Sequence, residues 1–119
     1  NPVPHVVDED GPEEVFAYVQ EMPGFPGGPY ALQKFLAKNI RYPEMEKENG
    51  VQGTVFVSFT VMKDGTVGDV KVVKGVPGGP GLGKEAVRVI SQMPAWAPGK
   101  QNGRAVNVRM MQPVKFVLQ

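Results

Sequence analysis

One spacing in the chain has the look of chemistry. Gly78, Gly83 and Lys84 follow G-x-x-x-x-G-K, the arrangement in which backbone N–H groups and a lysine cradle phosphates. The next position should offer a hydroxyl to Mg²⁺, but it is Glu85, whose carboxylate would repel the phosphates. The stretch before it also reads as half of an antiparallel hairpin, whereas phosphate loops sit in larger parallel sheets. Nucleophilic catalysis is no better provided for. There is no cysteine, the one histidine is His5, and Ser58 and Ser91 fall inside a patterned strand and a patterned helix with no histidine to serve as base. His5 lacks the second histidine or cysteine that a metal site needs. Neighbouring carboxylates occur at Asp8, Glu9 and Asp10 and at Glu44, Glu46 and Glu48, and both groups read as solvated charged runs. The expectation is a non-enzyme with no metal and no cofactor.

What remains is a row of basic side chains on a strand. From Arg104 onward, Val106, Val108, Met110, Val114, Phe116 and Leu118 share one parity, and Asn107, Arg109 and Lys115 share the other. The basic residues alternate with Asn and Met rather than with aromatic rings, so they make no stacking platform and nucleic acid is not the expected partner. Pro113 cannot donate a ladder hydrogen bond, which places this strand at a sheet edge or a bulge. An uncovered edge presents backbone groups to any other strand, and recognition by strand addition uses that chemistry.

Such an edge needs a sheet and a core behind it. Val55, Val57, Phe59 and Val61 alternate with Thr54, Phe56, Ser58 and Thr60, and the alternation resumes at Val67, Val70 and Val72 after Asp64-Gly65, so residues 53 to 74 read as an antiparallel hairpin. Leu32, Phe35, Leu36 and Ile40 mark an amphipathic helix that starts near Pro29 and is stopped by Tyr42-Pro43. Glu44 to Asn49 could add a helical turn. Leu82, Ala86, Val87, Val89, Ile90 and Met93 trace another helix, with Lys84, Glu85, Arg88 and Gln92 turned outward and Pro94 at its end. Ala95 to Gly103 reads as a turn-rich connection, with Trp96 as its buried anchor. The fold class is therefore α+β: two helices packed on one face of a small antiparallel sheet, in the order helix, hairpin, helix, strand. Val15, Ala17 and Val19 alternate with Phe16 and Tyr18, which marks a possible extra strand within residues 14 to 20.

At 119 residues the chain suits one core. Residues 1 to 24 read as an acidic tail or linker and residues 25 to 119 as the domain. Residues 1 to 52 carry nine acids and four bases, and residues 53 to 119 carry three acids and nine bases, so charge is divided even though the net is only +1. Such asymmetry marks a basic partner-binding face or an acidic tail. No run approaches the apolar length of a membrane span, and the start at Asn1 suggests a fragment from which any signal or anchor is missing.

Arg41-Tyr42-Pro43 before the hairpin, Gly50 and Gly53 at its start, Asp64-Gly65 in its turn, and Trp96, Pro98, Gly99 and Lys100 before the last strand together resemble the C-terminal domain of the TonB family over about residues 25 to 118. Met22-Pro23 and Phe25-Pro26-Gly27-Gly28 ahead of the first helix look like the Bacteroidetes members in particular. The resemblance implies a periplasmic domain of an inner-membrane-anchored energy transducer, driven by ExbB and ExbD. Such a domain grips the TonB box of outer-membrane TonB-dependent transporters and energises nutrient uptake, for example of siderophores or glycans. Carried over by position, the partner-binding residues are Asn39, Ile40, Arg41 and Tyr42 with Arg104, Ala105, Val106, Asn107, Val108, Arg109, Met110 and Met111. In this scheme Val106 and Val108 pack inward while Asn107 and Arg109 meet the partner. Asn39 stands where the family carries a glutamine. A homodimer formed by strand exchange is a further possibility. The alternative is a TonB-like or TolA-like domain that binds another envelope protein or a cell-wall component without energising transport. Finally, the acidic segment from Asp8 to Val19 has the charge and pattern to lie against the basic edge.

Overall fold

The computed structural model describes residues 5–7 and 14–119. Nine elements follow in order: β1 (His5–Val7), β2 (Glu14–Phe16), α1 (Pro29–Asn39), α2 (Glu44–Glu48), β3 (Gly53–Val61), β4 (Val67–Lys74), α3 (Pro80–Ser91), β5 (Gly99–Gln101) and β6 (Arg104–Phe116). The sheet runs β1-β2-β6-β3-β4, with β5 paired to the start of β6. The α+β architecture is the one read from the sequence. The sheet is larger than expected and not wholly antiparallel, because β2 runs parallel to β6. Two of its additions lie where a tail and a connection were expected: β1 falls within the acidic tail, and β5 falls within the turn-rich stretch before β6. Asp8, Glu9 and Asp10 lie outside the described residues.

Strand alternation explains the core. Val55, Val57, Phe59 and Val61 all project to one face of β3 and are fully buried there, together with Val114 and Phe116 of β6. Against this face pack Leu32 and Leu36 of α1 and Leu82, Ala86, Val89 and Ile90 of α3, the residues that repeat at helical spacing. Pro29 and Pro80 each open a helix at a position where a missing N–H costs nothing. Ile40 in extended conformation closes α1, just ahead of Tyr42-Pro43.

Two contacts lock the ends of the hairpin. Gly65, at φ +90°, comes so close to Trp96 that a Cβ there would lie 2.4 Å from its carbonyl oxygen, and the Trp96 N–H donates to Gly65 O at 2.8 Å. Trp96 is buried as expected, with its ring 5.5 Å from both Phe25 and Phe59. At the other end, α2 does more than fill a connection. Glu46 is not solvated but 7% exposed, and its Oε2 accepts the Gly81 N–H at 2.7 Å in the first turn of α3. An internal carboxylate thus occupies the helix N-terminus that the phosphate-loop spacing would need for its anion.

Candidate functional site

The candidate site is built on β6, whose two sides are filled differently. β3 pairs with it without a break from Gly53 opposite Phe116 to Val61 opposite Val108. Pro113, opposite Phe56, fits this ladder because alternate residues of an antiparallel strand turn their N–H groups away from the partner. β5 reaches β6 through the turn at Asn102-Gly103 and pairs with Arg104, Ala105 and Val106. β2 meets β6 at two positions only, Val15 opposite Asn107 and Phe16 opposite Val108. Opposite β3, no strand of the described residues reaches Arg109–Phe116.

The expected docking stretch from Arg104 to Met111 is therefore interrupted in its middle by the chain's own β2. Arg104 and Ala105 are exposed, Val106 is half-buried and Val108 is fully buried. Asn107 was expected to face a partner, yet it is 4% exposed. Its side chain is a clamp: Oδ1 accepts the Lys63 N–H at 2.8 Å and Nδ2 donates to Glu14 O at 3.3 Å. Parity put Asn107 on the face opposite the core, and burial came from elements that parity does not see, the hairpin turn and β2. Arg109 is also not a free cation. One of its terminal nitrogens lies 3.2 Å from Asp69 of β4, while its Nε is buried with no hydrogen-bond partner among the described residues. Met110 is half-buried and Met111 is 53% exposed.

On the face of the sheet turned away from the helices, a groove of about 350 Å³ spans β6, β3 and β4, lined by Ala17, Ser58, Lys71, Val73, Arg109 and Met111 among others. Its floor is Ser58, which stands opposite both Met111 of β6 and Lys71 of β4. The walls are apolar at Met111 and Val73 and cationic at Lys71. Sequence reasoning missed Ala17, Ser58, Lys71 and Val73. Strand parity across the β3–β6 and β3–β4 registers would have found Ser58 and Lys71. Val73 required knowledge of the register shifts in β4, where Asp69 adopts φ +49°.

The other expected contact stretch, Asn39 to Tyr42, belongs to a different neighbourhood. Asn39 Nδ2 donates to Phe35 O at 2.8 Å, inside its own helix. Ile40 is half-buried against the core. The Arg41 N–H donates to Glu85 Oε2 at 2.7 Å, and Glu85 also takes two hydrogen bonds of 2.7 Å from the Arg88 guanidinium, which in turn donates to Asn39 O. These donors, Arg88 first, hold the Glu85 carboxyl below its ordinary value. Glu85 is thus tied inward, where an outward position was expected. The Tyr42 hydroxyl donates to Val51 O, and its ring meets Phe116 edge-on at 5.6 Å. Phe116 is at the far end of β6, seven residues past Arg109, or roughly 23 Å at strand rise. The fold does not bring the two stretches together.

A second cleft, about 480 Å³, lies between β4 and α3 and is lined by Val72, Val76, Pro80 and Val87 with three glycines and Lys84. It is on the β4 side of the sheet and touches no residue of β6.

Comparisons with known proteins agree on one family. The profile described as "Gram-negative bacterial TonB protein C-terminal" matches residues 38–118. Protein TonB from two strains of Helicobacter pylori is 46% identical over 43 residues, which is 36% of this chain and 15% of each relative. Two solution structures of the Helicobacter pylori TonB C-terminal domain are similar at 29% identity. The longer fragment superposes with a TM-score of 0.56 over 74% of this chain and 78% of that one, and the shorter with 0.57 over 76% and 92%.

Proposed function

Because the chain belongs to the family of Gram-negative bacterial TonB protein C-terminal domains, we propose that it works in the periplasm as the partner-gripping end of an inner-membrane-anchored transducer. It captures the TonB box of outer-membrane transporters by adding that extended segment to β6, and transmits force derived from ExbB and ExbD. The observation that carries this reading is the side of β6 opposite β3, which from Arg109 to Phe116 is without a partner strand among the described residues. Backbone hydrogen bonds along such an edge supply affinity, and side-chain seats beside it supply selectivity. The groove on the adjoining sheet face, reached from the edge across Met111 and Arg109, offers a seat for an apolar side chain beside a negative charge.

Isothermal titration of the whole chain with a TonB-box peptide and with its scrambled counterpart tests the reading. Saturable binding of the box peptide alone is expected. Failure to bind boxes from several transporters would redirect the assignment to another envelope protein or a cell-wall component.

A further inference from the structure

The short strand β2 occupies the position that a partner strand would take. We propose that Glu14–Phe16 is an internal mimic of the partner, docked on β6 until a longer segment displaces it; this rests on the strand-addition reading above. β2 lies against Asn107 and Val108, the fourth and fifth residues of the eight-residue stretch from Arg104 to Met111. Its hold is short. Two register positions join it to β6, whereas the β3 ladder runs unbroken from Val108 to Phe116. Its buried side chain is Val15, 5% exposed, while Glu14 is exposed and Phe16 half-buried. Val15 lies outside the main core cluster, so β2 can leave without opening the hydrophobic interior.

The adjoining chain cannot leave so readily, which sets the limit of the device. Val19 is buried and lies 3.1 Å from where a Cβ on Gly99 would stand. The Gln20 N–H donates to Gln101 Oε1, and the Asn102 N–H donates to Gln20 Oε1. Glu21 exchanges both backbone hydrogen bonds with Lys100. The segment is therefore pinned from Val19 onward, and β2, three residues upstream, is a tethered competitor present at high local concentration. Removing residues 1 to 20 would break this pin as well as the mimic, so the informative cut falls after Phe16.

The mimic also reports what the edge accepts. The displacing segment runs parallel to β6, seats an aliphatic side chain where Val15 sits opposite Asn107, and offers a carbonyl in place of Glu14 O to the Asn107 amide. Arg109–Phe116, unpaired on this side among the described residues, is where such a segment first pairs before it advances onto Val108 and Asn107.

The test compares a TonB-box peptide on three chains: the intact protein, full-length Val15→Asp, and a chain shortened to residues 17–119 whose cooperative thermal unfolding has been verified. Affinity should rise about 3- to 10-fold in both altered chains, because a competent state that is only fractionally open weakens apparent affinity by that fraction. In the intact chain, the Val15 and Phe16 amide resonances should move to unstructured positions as peptide is added. Equal affinities for all three chains, or peptide bound with β2 resonances unmoved, overturn the mimic and leave strand addition standing. Binding by none of the three overturns strand addition itself and the mimic with it.

Discussion

On one side β6 meets β3 through an unbroken antiparallel ladder whose core face carries Val55, Val57, Phe59 and Val61, all closed off from solvent. On the other it meets β2 through two parallel positions and then runs past Met111 to Phe116 with no strand of the described residues beside it. The same strand is thus a structural wall on one side and an unfinished edge on the other. Natural sheets blunt or cover such edges unless the edge has work to do. If partners add to the open side, the difference teaches that the stability of this domain and its proposed binding are separable, because they draw on opposite sides of one strand.

That separation can be broken most forcefully at the core. Phe59→Ala should cost about 3–5 kcal/mol, since it leaves a cavity between the sheet and both the Trp96 ring and the helices. Val15→Ala should cost roughly 1 kcal/mol, below the full value for a valine deep in a core, because it packs at the margin. Equal losses in denaturant unfolding would show that the two sides are one cooperative structure.

The clamp residue sharpens the contrast. Asn107→Ala removes the acceptor of the Lys63 N–H and the donor to Glu14 O, which should cost about 1–3 kcal/mol. Hydrogen exchange should speed up at β2 and at the hairpin turn while the β3–β6 ladder stays protected. Uniform acceleration would contradict the division.

The Asn39–Tyr42 stretch is assigned by this account to the structural side, and acid tests that assignment. The carboxyl of Glu85 is held below its ordinary value of 4.5 in the fold, chiefly by Arg88. The stabilisation is therefore complete above that ordinary value and lost as pH falls through the folded one. Unfolding measured downward from pH 5 should show this decline, and Glu85→Gln should remove that share of it. A variant with the same acid profile as the unaltered chain would mean that the Glu85–Arg88–Asn39 network does not support the fold.

The smallest effect is expected at the groove rim. A double-mutant cycle on Arg109 and Asp69 should return about 0.2–1 kcal/mol, less at high salt, because both side chains are partly exposed. A coupling well above that range would move Arg109 from the binding side to the structural one.

Much of this was legible before the structure. Period-two alternation located β3, β4 and β6, and helical spacing located α1 and α3, because in each case one face is buried and the other is not. β1 and β5 were not legible, since three residues are too few to show a period. The pattern at Val15 to Val19 identified a possible strand, but alternation states which face is buried and says nothing of the neighbour or the direction of pairing. Glu46 misled for a related reason. A charged run looks solvated unless its partner is visible, and the Gly81 N–H lies 35 residues away. Pro113 and parity pointed to β6 as an edge, and one side of it is unpaired over Arg109–Phe116 among the described residues, while the groove across β6, β3 and β4 depended on the irregular register of β4.

The most direct test of the edge is an amide-shift titration of the intact chain with a TonB-box peptide, followed by NMR residue by residue. Strand addition predicts large shifts from Arg109 to Phe116, with Asn39 to Tyr42 little changed, and displacement of β2 adds shifts at Asn107, Val108, Val15 and Phe16. Shifts confined to Val72, Val76 and Val87 at the cleft between β4 and α3, with β6 unmoved, would contradict the account and place binding on the opposite edge of the sheet.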